Sequence, residues 1–84
     1  MNLWIRSQDK TTLIRSYEIY ISEQPNIYLI RAKRTSHILG SYSTIERALE
    51  VLDEIQKMLK TAELNDGINV IVYQMPEDEI YLRR

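Results

Sequence analysis

The chain has 84 residues, enough for one small domain spanning residues 1–84. It has no cysteine, which excludes disulfide staples and thiolate metal sites. Its net charge of −1 argues against general nucleic-acid binding, because affinity for phosphate backbones comes largely from clustered cations.

Leu3-Trp4-Ile5-Arg6-Ser7 reads as a short strand, and Gln8-Asp9-Lys10-Thr11 as a polar turn. Thr12 to Ser22 is rich in β-branched and aromatic residues and reads as a second strand, with Tyr17, Ile19 and Ile21 on one face. Pro25-Asn26 supplies a hairpin connection. Ile27 to Arg34 is the third strand, with Tyr28, Ile30 and Ala32 pointing one way and Leu29, Arg31 and Lys33 the other. Thr35-Ser36 turns the chain into a fourth strand, His37 to Tyr42, where Gly40 marks a bulge or a close backbone approach.

Ser43 to Ala62 is an amphipathic helix written into one run. Ser43-Thr44-Ile45-Glu46 has the pattern of a capping box, in which Ser43 and Glu46 satisfy each other's backbone N–H groups. Ile45, Ala48, Leu49, Leu52, Ile55, Leu59 and Ala62 recur at helical spacing, with Val51 and Met58 widening the apolar arc. Asn65-Asp66-Gly67 is a stop signal. Val70-Ile71-Val72-Tyr73 is a short apolar strand of the kind expected at a covered, central position. Pro76 ends it, an acidic run follows at Glu77-Asp78-Glu79, and Ile80-Tyr81-Leu82 lies in the tail. The predicted order is β-β-β-β-α-β. This is a two-layer α+β domain, an antiparallel sheet of about five strands with the helix packed on one face.

Catalytic signals are weak. His37 is the only histidine, so a two-histidine metal site is excluded. Ser36 and Ser41 are near it in sequence, but no orienting carboxylate or oxyanion hole appears at recognisable spacing. The acidic run lacks the alternation and the glycine of a calcium loop. No catalytic residue, metal site or cofactor is expected, and the chain reads as a non-enzyme.

Binding signals are stronger. Residues 1–42 carry six Lys/Arg against three Asp/Glu, and residues 43–84 carry five against nine. The asymmetry reads either as scattered solvated charge or as a basic sheet set against an acidic helix. Trp4, Tyr17, Tyr20 and Tyr28 fall in the basic half beside Arg6, Arg15, Arg31, Lys33 and Arg34. Guanidinium groups next to flat rings suit a phosphate and a base. The expected contacts are Trp4, Arg6, Tyr28 and Arg31. Trp4 and Arg6 share a strand face, whereas Tyr28 and Arg31 do not.

Three segments carry a resemblance: Leu3-Trp4-Ile5-Arg6-Ser7-Gln8-Asp9, Leu39 through Gln56, and Val72-Tyr73-Gln74-Met75-Pro76. Together they resemble a group of uncharacterised small proteins of low-GC Gram-positive bacteria and their phages and prophages. Small phage proteins of this size are often structural accessories, regulators or inhibitors of host defence, and some of the last sequester nucleotide signals. The resemblance implies that setting; with the uncovered basic, Tyr-rich sheet face and the absence of catalytic groups, the leading expectation is a non-enzymatic anti-defence sponge for an anionic small molecule such as a signalling nucleotide. The alternative is an interaction module that docks on a host protein through Glu46, Glu50, Asp53 and Glu54. Nucleic-acid binding comes third. A cytoplasmic setting is expected, because no run approaches the roughly 18 apolar residues of a membrane helix and no segment resembles a signal peptide. Apolar residues on both strand faces, at Leu3 and Ile5 against Trp4 and at Leu29 against Ile30, lead us to expect a homo-oligomer, at least a dimer.

Overall fold

Two hairpins compete for the β-branched run at residues 12–22, and each takes one end of it. The computed structural model describes residues 3–15, 18–64 and 70–78, with only the backbone of Glu63 and Leu64. Strand β1 (Leu3–Arg6) pairs antiparallel with the short β2 (Leu13–Ile14), Ile5 opposite Ile14. Strand β3 (Ile19–Gln24) pairs antiparallel with β4 (Ile27–Ala32), which pairs in turn with β5 (Ile38–Tyr42). The single strand expected over Thr12–Ser22 is therefore two strands in two sheets. The expected placement of Tyr17, the helix stop at residues 65–67 and the apolar tail at 80–82 all lie outside the described residues.

Local chemistry fixes both hairpins. In the first, Asp9 accepts hydrogen bonds from the Ser7 hydroxyl at 2.6 Å and from the Thr11 N–H at 3.1 Å, and Lys10 takes a positive φ of 69°. Thr12 N–H donates to Ser7 Oγ, which closes the turn. In the second, Pro25 presets one torsion and Asn26 takes φ 62°, the order of a type II turn.

Helix α1 (Ile45–Leu64) crosses the inner faces of both sheets. Thr44, not Ser43, caps it: Thr44 Oγ1 accepts from the Arg47 N–H at 3.1 Å. Ser43 instead donates its own N–H to the Asp78 carboxylate, and its hydroxyl is left without a partner. The buried apolar helix positions are Ala48, Val51, Ile55 and Ala62, at the three- and four-residue spacing of one face. Leu49, expected in that stripe, is 47% exposed. The arc is turned toward Val51 because the helix sits between two sheets rather than over one.

Strand β6 (Ile71–Gln74) follows the helix and pairs parallel with β1, Leu3 opposite Ile71. The strands thus form two three-stranded sheets, ordered β2-β1-β6 and β3-β4-β5. The architecture is α+β, with the helix packed against the sheets. β6 is an edge strand, not the covered central strand its composition suggested. Its inner residues Ile71 and Tyr73 pack on the core, while Val72 is 54% exposed.

Gln8 joins the two sheets. Its backbone N–H donates to Leu39 O at 2.7 Å. Its side-chain amide then pairs with the Ser41 backbone, Oε1 accepting from N–H at 3.0 Å and Nε2 donating to C=O at 3.2 Å. Nε2 also donates to Pro76 O. One side chain thereby does the work of a strand residue along the edge of β5. Gly40 meets both expectations. The β4·β5 register shifts at Ile30/Arg31, and a Cβ on Gly40 would come within 3.0 Å of Tyr42 Oη and 3.2 Å of Met75 Cε. No helix among the described residues is long and apolar enough to cross a membrane.

Candidate functional site

Alternation along β1 sends Leu3 and Ile5 into the core and Trp4 and Arg6 to the outer face of the first sheet. Register with β2 and β6 surrounds Trp4 with Arg15 on one side and Val72 on the other. The Arg15 guanidinium carbon stands over the indole, 5.8 Å from the ring centroid. At that distance a cation–π contact contributes about 0.5–1 kcal/mol on an exposed surface. Arg6 lies on the same face, and its Nε donates to Lys10 O at 3.1 Å, so this guanidinium is partly committed to the hairpin turn.

Beside Trp4, the β2 end approaches the turn between β4 and β5. Ile14, Arg15, Arg34 and Thr35 line a cleft of about 380 Å³. The turn is well defined: Ser36 N–H donates to Ala32 O at 2.8 Å with Ser36 at φ 60°, and Ala32 N–H donates to His37 O. It holds Arg34 and Thr35 at its tip. Thr35 Oγ1 lies 2.9 Å from His37 Nδ1, so this histidine is bonded to a hydroxyl of the cleft rather than to Ser36 or Ser41. Lys33 pairs with Glu18 at 3.7 Å, both well exposed. The cleft thus offers two guanidinium groups and a hydroxyl, one of the guanidiniums standing over the Trp4 ring, a set suited to phosphate oxygens.

The four residues expected from sequence do not converge. Trp4 and Arg6 share the outer face of the first sheet. Arg31 lies on the outer face of the second sheet, half-buried, with Nη1 donating to Ser36 O at 3.4 Å. It braces the turn from behind. Tyr28 lies on the opposite face of the same strand and packs against the core. Arg15, Arg34 and Thr35 complete the cleft instead. The signal for Arg15 was readable: a hairpin closed at residues 7–12 brings it across from Trp4.

A second polar cluster sits at the helix N-terminus. Arg47 is buried, donates to Glu77 O and pairs with Glu50, both at 3.4 Å. Tyr42 donates its hydroxyl to Pro76 O at 2.7 Å, and Tyr73 donates to Glu54. Burial pushes both phenols well above the ordinary tyrosine range, and the Glu54 hydrogen bond adds to the rise at Tyr73. These groups tie residues 75–78 across the helix start. Two of the four helix acids considered for docking, Glu50 and Glu54, already have partners within the chain. Among the described residues no three His, Asp or Glu side chains converge as a metal site requires. Set against models of protein families, against curated proteins and against solved structures, the chain matches none of them.

Proposed function

We propose that the chain is a non-enzymatic binding protein that holds an anionic small molecule of the nucleotide class on the outer face of its first sheet. The observation that carries this reading is the Arg15 guanidinium, set over the Trp4 indole and lining the same cleft as Arg34 and Thr35. Phosphate oxygens pair with Arg15 and Arg34, and the base stacks toward Trp4. The resemblance to small phage proteins adds the role of a sponge that sequesters a signalling nucleotide in the host cell.

The test is a thermal-shift panel of cyclic and linear nucleotides with inorganic phosphate as the control. A ligand at 100 times its dissociation constant stabilises the fold by about 2.7 kcal/mol. Trp4 is the single tryptophan, so its fluorescence reports occupancy directly. Arg34→Ala and Arg15→Ala are each expected to abolish the shift. A flat panel with well-folded protein sinks the reading, and an equal response to phosphate and nucleotides removes the base from it.

A further inference from the structure

We infer that β6 is the seam of a two-fold dimer, in which the strand pairs antiparallel with β6 of a second copy. This goes beyond the ligand cleft and does not depend on it.

The backbone sets up the seam. Met75 N–H donates to Arg6 O, back toward β1. Main-chain groups of successive strand residues point to alternate sides. The N–H and C=O groups of Val72 and Gln74 therefore point away from β1, to a side where the described residues place no strand. Such an edge is a template for another strand.

The four sheet edges differ in how they are protected. β2 is two residues long, too short to offer much of a ladder. The free edge strand of the second sheet, β3, carries Glu23 and is flanked by Glu18. β5, on the other side of that sheet, is closed by the backbone and side chain of Gln8. β6 reads Ile-Val-Tyr-Gln, with no charge, no proline and no bulge. Apart from its four-residue length, none of the usual devices against edge pairing is present there among the described residues.

A second copy is the occupant this edge fits. Directly opposed residues in an antiparallel pair share a face, so a two-fold axis within Val72–Gln74 sets uncharged residue against uncharged residue. With the axis on Val72, the exposed Val72, 54% accessible, meets Val72 of the other copy, and Val70, 65% accessible, meets its Gln74. The cations of this face, Arg6 and Arg15, stand on β1 and just beyond β2, away from the seam. The result is one six-stranded sheet with both Trp4 clefts open on its outer face.

Light scattering on the size-exclusion column is the test. The chain mass is 10.0 kDa, so wild type is expected to run at twice that value. Val72→Lys and Val72→Glu, each at an exposed position, are expected to fall to the monomer mass with unchanged circular dichroism. An equimolar mixture of the two is expected to return to the dimer mass, because opposite charges then meet across the axis. Leu13→Lys, on the other edge of the same face, is expected to stay dimeric. In wild type the amides of Val72 and Gln74 should gain hydrogen-exchange protection as concentration rises. A wild-type monomer at high micromolar concentration overturns the inference and assigns the edge to another protein's strand or to none. A dimer that Leu13→Lys breaks and Val72→Lys does not overturns it as well.

Discussion

The two sheets use the same kinds of residue to different ends. In the second sheet the inner face and the centre of the outer face are put away: Ile30 and Ala32 lie in the core and Leu29 on the outer face is only 7% exposed, while Tyr20 and Ile38 flanking it stay 38% and 49% exposed. In the first sheet only the inner face is covered. Leu3 and Ile5 are buried, while Leu13, Val70 and Val72 are each more than half exposed beside Trp4. The first sheet carries the surface on which the proposed ligand and the proposed partner would act. Part of the surplus apolar area that the sequence suggests is absorbed within one chain, since Leu29 and Val51 are buried. Of what remains, the three most exposed residues, Leu13, Val70 and Val72, stand on or beside the first sheet.

Substitutions can sharpen that contrast. Ile30→Ala removes a fully buried side chain from the second sheet and is expected to cost about 2–5 kcal/mol in urea unfolding. Val72→Ala, on the outer face of the first, is expected to stay within about 0.5 kcal/mol when the chain is held monomeric. Comparable costs at the two positions would erase the distinction. Gly40→Ala brings a methyl group against the Tyr42 ring, which its hydrogen bond to Pro76 keeps from swinging aside. Overpacking of this kind costs about 1–3 kcal/mol.

Gln8→Leu tests the junction between the sheets. It leaves the Ser41 N–H and C=O without their side-chain partner, at about 1–3 kcal/mol for buried groups stranded in this way. Gln8→Glu is the finer probe, because a carboxylate still accepts from Ser41 N–H but donates to neither Ser41 O nor Pro76 O. A variant with unchanged stability would mean that the helix and the Gln8 backbone bond to Leu39 O hold the sheets without this side chain.

The smallest effect belongs to the first hairpin. Hydrogen bonds from the Ser7 hydroxyl and then from Thr11 lower the Asp9 carboxyl from 3.8 to about 2. A lowered carboxyl stabilises the fold fully above its unfolded value and loses that contribution as pH falls through the folded one. Wild type is therefore expected to melt above Asp9→Asn at neutral pH, with the gap closing as pH falls from 3.8 toward about 2. A gap that persists there would separate the turn's stability from the charge.

Much of the fold was legible wherever a signal was local. The helix, the Pro25-Asn26 hairpin and the special role of Gly40 were all readable from short patterns. The capping residue was misread by one position because Ser43 and Thr44 are both competent caps, and a distant carboxylate, Asp78, decides between them. The split of residues 12–22 and the edge position of β6 were not legible, because strand composition records burial and β-propensity but not the pairing partner. Trp4 and Arg6 were placed correctly by alternation alone. Arg34 and Thr35 enter the cleft only through a turn between two strands of the other sheet, a placement no short pattern encodes.

The parallel pairing of Leu3 with Ile71 also dictates an order of events during synthesis. The hairpins form from neighbouring segments, and the helix can dock on β4 and β5 as soon as it is made. The first sheet waits for a strand delivered near the far end of the chain. Until β6 leaves the ribosome, β1 and β2 are a two-stranded ribbon, marginal in water. The sheet on which the proposed ligand and the proposed partner would act is thus completed only after both hairpins and the helix.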